Sequence, residues 1–321
     1  MKHLFIVNPV AGRQKPEDKL RLIHEAIDRL PAEKRESEEF EVYVTAAPMD
    51  ACAYIKEAAK KAEELRVYAC GGDGTLNECV NGAAGLSNVA VTHFPCGTGN
   101  DFIKMFGPDK DRFFDLTELM NGEVRPIDVI DCNGRYSVNI CSMGLDARIG
   151  TDVHKYSGMP LVGGAAGYVV SLAANYFKGI TTAMTARTEG LVCGPELNLV
   201  CVCNGRFYGG GFNPTNDARP DDGYMDVLIV SGVSRLSLLG ALMSYSKGKY
   251  RSCPQYITFV RTRLLEIEAA AEEVINVDGE AEYGSRVRFE LVPGGLNFIF
   301  PRDMAFFRAD ARKAGAPQNE C

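Results

Sequence analysis

Three glycine-rich stretches of this chain carry acidic or polar side chains at spacings that suit phosphate chemistry. In the first, Val67-Tyr68-Ala69-Cys70 runs into Gly71-Gly72-Asp73-Gly74-Thr75-Leu76-Asn77. An apolar, β-favouring run that breaks into glycines and resumes as a helix-compatible segment reads as strand, loop and helix start. Glycines let backbone N–H groups approach an anion closely, and the helix N-terminus behind them adds a favourable partial charge. A carboxylate in such a cradle repels phosphate, so Asp73 makes sense beside a metal ion or a proton in transit. Its other reading is a cap in an ordinary tight turn. Asn8-Pro9-Val10-Ala11-Gly12-Arg13, after the apolar run Leu4 to Val7, is a second candidate phosphate loop. Pro95-Cys96-Gly97-Thr98-Gly99-Asn100-Asp101-Phe102, after Val89 to Phe94, is the third.

The elements that must position these loops follow from periodicity. Leu20, Ile23, Ile27 and Leu30 recur at helical spacing, Phe40 to Val44 is a strand ending at Thr45, and Asp50 to Leu65 reads as a second helix. Strand and helix thus alternate up to Gly71, the signature of a parallel sheet with helices on both faces. Such sheets bind ligands at the carboxyl ends of their strands, where the Asn8, Thr45, Gly71 and Gly97 loops all fall. From Arg125 the pattern changes. Asn133-Gly134 between two short β-rich runs is a strong hairpin signal, and Asp278-Gly279 after Val274 to Val277 is a common turn pair. Short β-rich runs then recur to Val292, interrupted by helices near Ala165 to Phe177 and Ser234 to Ser246. The reading is an α/β domain over 1–125, an antiparallel β-sandwich domain over 126–300, and a tail over 301–321 that folds back on the first domain.

Composition narrows the function. A net charge of −7 without a basic stripe excludes nucleic acid as the expected partner. Eleven cysteines without paired CxxC spacing read as reduced, buried thiols. The opening Met1 to Val7 is too short for a secretion signal, so a cytoplasmic protein is expected. Ser157 to Phe177 lacks charge, but its glycines, proline and polar residues weaken a membrane span.

Together, Asn8-Pro9-Val10-Ala11-Gly12, Gly71-Gly72-Asp73-Gly74-Thr75, Gly97-Thr98-Gly99-Asn100-Asp101-Phe102 and Asp278-Gly279-Glu280 resemble the diacylglycerol kinase catalytic family, over nearly the whole chain. The likeness is to its soluble bacterial lipid kinases, with sphingosine kinases as relatives. The GGDGT loop is shared with NAD kinases and phosphofructokinases, so its implied α/β domain is of that type; the other motifs are more specific. The resemblance implies an ATP site built from Asn8, Pro9, Val10, Ala11, Gly12, Thr45, Gly71, Gly72, Asp73, Gly74, Thr75, Leu76, Asn77 and Thr98. It implies Glu280 as the general base that takes the lipid hydroxyl proton, with transfer in a cleft between the two domains. Asp73, with Asp101 and Asp128, would form an acidic network that holds a catalytic Mg²⁺ with ATP. A structural Mg²⁺ would sit on the Asp222 carboxylate and the main-chain carbonyls of Arg219 and Tyr224.

The acceptor is expected to be a diacylglycerol-like lipid. Pro160 to Phe177 would offer an apolar cleft, and Lys247-Gly248-Lys249-Tyr250-Arg251 would give transient contact with the anionic inner face of a membrane. A homodimer is left open. Two other readings stay in play, a kinase for a soluble acceptor such as NAD and a non-catalytic nucleotide or lipid sensor.

Overall fold

A computed structural model describes residues 1–157, 175–176 and 179–308. These form two compact units, one of Met1–Val129 with the chain from Pro293 onward, the other of Ile130–Val292. The first opens with β1 (Lys2–Val7), α1 (Pro16–Asp28), α2 (Ala32–Ser37), β2 (Glu39–Val44), α3 (Asp50–Ala59), β3 (Leu65–Gly71), α4 (Asp73–Ala83) and β4 (Val89–Pro95). A 3₁₀ segment Phe102–Phe114, α5 (Leu116–Met120) and the start of β5 (Glu123–Cys132) complete it. The strands lie parallel in the order β2-β1-β3-β4. Val7 pairs with Val44 and Cys70, and Cys70 with Phe94, so all four strands end at one level and release their loops along one edge.

α3 stops at Ala59, short of the expected Leu65, because Asn88 caps it: its Nδ2 donates to the carbonyls of Ala59 and Ala62 at 2.9 Å. Leu65 then starts β3, its N–H bonded to Asn88 O at 2.8 Å. The last strand of the chain, Glu280–Phe300, enters this unit at Pro293 and pairs parallel to β4 at Asn297↔Ala90 and Phe298↔Val91. Pro293 to Phe300 therefore packs in the first unit, although alternation alone assigned it to the sandwich. An aromatic cluster of Phe102, Phe106, Phe113, Phe298 and Phe300 holds it there. Residues 301–308 follow: Arg302 Nε donates to Asn121 O at 2.6 Å, and Phe306 stands edge-on to Phe106.

The second unit contains β6 (Arg135–Ser137), β7 (Ile140–Gly144), α6 (Leu145–Ser157), β8 (Thr182–Arg187), β9 (Val192–Cys193), β10 (Glu196–Leu197), β11 (Leu199–Cys203) and β12 (Met225–Val230). A helix Leu238–Tyr245, β13 (Ile257–Thr262), β14 (Leu264–Val277) and β15 (Glu280–Phe300) follow. The expected Asn133-Gly134 hairpin joins β5 to β6 with both residues at positive φ. β13, β12, β11, β7 and the end of β14 form an antiparallel sheet buried on both faces. Val200, Val202, Val227 and Ile229 point into one core, while Cys201, Cys203, Leu228 and Val230 point into another beneath α6 and the helix Leu238–Tyr245. β14 changes its second partner along its length. A register shift between Glu268 and Glu273 bends it, so its first half pairs with β8 and its end with β7. The described cysteines are free thiols. The expected helix at Ala165 to Phe177, and with it the Pro160 to Phe177 cleft, lies almost wholly outside the described residues.

Candidate active site

The strand order reverses between β1 and β3: the chain moves outward from β1 to β2 on one side and through β3 to β4 on the other. A crevice opens at the carboxyl ends of such neighbours, and ligands of open α/β sheets bind there. Asn8-Pro9-Val10-Ala11-Gly12 leaves β1 and Gly71-Gly72-Asp73-Gly74-Thr75 leaves β3, so the two motifs are placed side by side. Asn8 Nδ2 donates to Thr75 Oγ1 at 3.1 Å and joins them. The third loop packs against both. A Cβ on Gly97 would lie 2.3 Å from Gly72 Cα, and one on Gly12 would lie 2.0 Å from Cys96 O. Gly12 also holds φ +69, so both the backbone angle and the contact require glycine.

Of the four N–H groups of the Asn8–Gly12 loop, that of Asn8 bonds Cys70 O and two are consumed within the loop. Val10 N–H bonds Asn8 Oδ1, Ala11 N–H bonds Asn8 O and Pro9 has none, while Gly12 N–H has no partner among the described residues. The amides of Gly74 and Thr75 in the first turn of α4 likewise find no acceptor among those residues. Three donors at a helix N-terminus and a facing loop suit a phosphate. Leu76 and Asn77 are buried in α4, Thr98 is exposed on the third loop, and Thr45 N–H bonds Val7 O at 3.0 Å at the end of β2.

Asp73 is the first residue of α4, but its carboxylate does not cap that helix. It accepts from Asp101 N at 2.8 and 2.9 Å and from Phe102 N at 3.4 Å, capping the 3₁₀ segment and tying the second loop to the third. Asp101 pairs with Lys104 at 2.5 Å, and Asp128 accepts from Gly294 N at 2.8 Å. Asp73 thus meets Asp101 through the Asp101 backbone N–H, and no group of three His, Cys, Asp or Glu residues among those described could hold a metal ion. A Mg²⁺ held chiefly by nucleotide phosphates needs only one or two carboxylates, which Asp73 in its loop fits.

The Asp222 loop does not fit its expected ion. Asp222 accepts from Tyr224 N at 3.1 Å and is ion-paired with Arg261, whose Nε reaches Asp226 at 2.9 Å. Arg219 turns its side chain onto Asp221 at 2.8 Å. A guanidinium therefore neutralises the carboxylate on which a structural Mg²⁺ would sit. Burial pushes the neighbouring Asp226 up to about 7.

Asp278 and Gly279 make the two-residue turn between β14 and β15, at φ +51 and +97, with Val277 paired to Glu280. Asp278 accepts from Ser137 Oγ at 2.5 Å and from the amides of Val138, Asn139 and Ile140 at 2.9, 3.1 and 3.0 Å. The hairpin is anchored by the aspartate, and Glu280 stands exposed immediately beyond it.

Several residues escaped the motif search. His93, on β4, donates from Nε2 to Gly71 O at 3.1 Å, and burial brings its pKa down to about 4. Its only sequence signal is a lone histidine in an apolar strand. Elsewhere the second unit holds a small apolar cavity of about 40 Å³. Leu145, Leu238 and Leu242 wall it, and the Asp146 carboxylate lines it, taking bonds from Ser142 Oγ at 2.9 Å and Tyr208 OH at 2.7 Å. Burial raises the Asp146 pKa. In the segment read as basic, Tyr250 is buried and Arg251 is held by Asp217 at 2.8 Å, leaving Lys247 and Lys249 facing outward. No helix among the described residues is long and apolar enough to cross a membrane.

Comparison with known proteins agrees with this geometry. The profile described as "Diacylglycerol kinase catalytic domain" matches residues 2–132, and that described as "YegS C-terminal NAD kinase beta sandwich-like domain" matches residues 139–300. A Pseudomonas aeruginosa protein named "Probable lipid kinase YegS-like" is 30% identical over 290 residues, covering 88% of this chain and 91% of its own. A Bacillus subtilis protein named "Diacylglycerol kinase" is 27% identical over 312 residues, covering 94% and 97%. The crystal structure of a diacylglycerol kinase from Bacillus anthracis shares the fold, with a TM-score of 0.68 at 24% identity over 95% of this chain and 98% of that one.

Proposed function

The chain belongs to the diacylglycerol kinase catalytic family, and from that premise we propose that it is an ATP-dependent lipid kinase acting on the hydroxyl of a diacylglycerol-like lipid. The observation that carries this reading is the phosphate cradle at the β1/β3 switch point, where Gly12, Gly74 and Thr75 offer N–H groups with no partner among the described residues and Asn8 locks the two loops together. These donors hold and orient the nucleotide phosphates. Glu280 accepts the proton of the lipid hydroxyl, the freed oxygen forms a bond to the γ-phosphorus, and the bond to the β-phosphate oxygen breaks to leave ADP. Asp73 would hold a Mg²⁺ carried by the nucleotide, which supplies charge neutralisation at the phosphates. The small apolar cavity of the second unit offers one end of an acyl chain a foothold, with Asp146 and Tyr208 as its few polar groups. Lys247 and Lys249 favour transient contact with an anionic membrane surface.

Consumption of Mg-ATP, measured with and without lipid in mixed micelles, tests the reading. Turnover that appears only with lipid supports it. Turnover with NAD and none with lipid would place the activity on a soluble acceptor, and tight nucleotide binding without any turnover would indicate a sensor.

A further inference from the structure

The apolar face of α1 carries a charge. Lys19, Ile23 and Ala26 are its buried residues, at i, i+4 and i+7, and Lys19 is wholly buried. Its Nζ donates to Asn8 O at 2.8 Å and Ala11 O at 2.6 Å, both in the first phosphate loop, and no carboxylate lies within ion-pair distance among the described residues. A buried ammonium without a counter-charge is costly and is normally paired. Burial accordingly pulls its pKa below the ordinary lysine value. The missing anion is the one the loop is built to receive.

In a trans peptide the C=O and the following N–H point in opposite directions. Pinning the Ala11 carbonyl on Lys19 therefore turns Gly12 N–H, the one uncommitted donor of that loop, to the far side. Asn8 O, the other carbonyl held by Lys19, precedes a proline and has no such N–H to orient. We infer that Lys19 is a positioning residue of the nucleotide site: its ammonium fixes the Asn8–Gly12 loop from beneath, aims Gly12 N–H at the phosphates, and supplies the positive charge that offsets theirs. This rests on the kinase reading and adds to it a cation that acts from behind the backbone rather than by touching the ligand. It also predicts which part of the nucleotide feels the residue, because the charge acts on phosphate and not on the nucleoside.

Calorimetric binding of ATP, tripolyphosphate and adenosine to the full chain separates this role from a purely structural one. Lys19→Met is expected to weaken ATP and tripolyphosphate at least tenfold and adenosine less than twofold, while Lys19→Arg, which keeps the charge, stays within about threefold of the wild type. Equal losses on all three ligands, or none on any, would overturn the inference. Should Lys19→Met fail to fold, NMR of labelled lysine in the wild type decides the matter: saturating tripolyphosphate raises the Lys19 pKa if the inference holds and leaves it unmoved if not. Wild type that binds neither ATP nor tripolyphosphate contradicts the kinase reading, and this inference with it. Wild type that binds them but phosphorylates no lipid contradicts only the acceptor assignment.

Discussion

Two neighbouring acidic residues divide structure from chemistry. Asp278 accepts from one hydroxyl and three backbone amides, whereas Glu280, two positions on, is exposed. Asp278→Ala leaves those donors without their acceptor and is expected to cost about 2–4 kcal/mol in urea unfolding, the penalty for stranding several polar groups. Glu280→Gln should leave the unfolding midpoint unchanged and reduce kcat at least 100-fold, within the usual contribution of a general base. An equal loss of stability in both variants would contradict the division. Residue by residue, the motifs were legible where glycine, proline and carboxylate coincide. Lys19 was not, because the apolar stripe of α1 was read through Leu20, Ile23, Ile27 and Leu30. The buried face shares Ile23 and Leu30 with that stripe but turns toward Lys19 and Ala26, leaving Leu20 and Ile27 half-buried, and a charged residue at an apolar register position is the signal that could have shown it. Asp101 pairs with Lys104 at i, i+3, a helical spacing, whereas the Gly294 N–H that Asp128 holds is 166 residues on and is brought there only by the fold.

At the scale of elements, β4 supports the phosphate loop through His93, whose Nε2–H holds the Gly71 carbonyl while its Nδ1 has no partner among the described residues. The folded protein keeps this imidazole neutral down to about pH 4, whereas the unfolded chain takes up a proton near pH 6.5. Its contribution is therefore complete above pH 6.5 and is lost as pH falls toward 4, by roughly 3 kcal/mol in all. Urea titrations across that window should show His93→Gln with a shallower pH slope than the wild type; equal slopes would contradict the assignment. The helix Leu238–Tyr245 is the corresponding element of the second unit, since its inner face walls the cavity. Ala241→Phe fills part of that space and should raise KM for long-chain diacylglycerol several-fold without changing KM for ATP. No difference between long and short chains would remove the cavity from the acceptor site. Most strands and the two hairpins were readable from alternation and turn chemistry, but β7 and the short β9 and β10 were not. α6 and the 3₁₀ segment were not, because the first follows β7 without a separating loop and the second is kinked at Gly107, at φ +59, ahead of Pro108.

Across the whole molecule, the α/β unit and the sandwich were both legible, since alternating strand and helix give way to short β-rich runs near residue 125. The return of the chain was harder to see. β15 is one strand that enters the first unit at Pro293 and pairs with β4 at Asn297 and Phe298, and strand alternation alone carries no mark of a change of partner. The Asp222 loop shows the complementary limit. The motif survives there, but Arg261, 39 residues on, occupies its carboxylate, and only the fold brings the two together. The proposed reaction has the cradle at the β1/β3 switch point supply phosphate to a lipid hydroxyl whose proton goes to Glu280. The most direct measurement is transfer of labelled γ-phosphate from Mg-ATP to dioleoylglycerol in mixed micelles, comparing wild type with Glu280→Gln and using NAD as the soluble control. The account predicts a labelled lipid with the wild type, at least 100-fold less with Glu280→Gln despite unchanged ATP affinity, and no label on NAD. Label on NAD alone, or equal lipid labelling by both proteins, would contradict it.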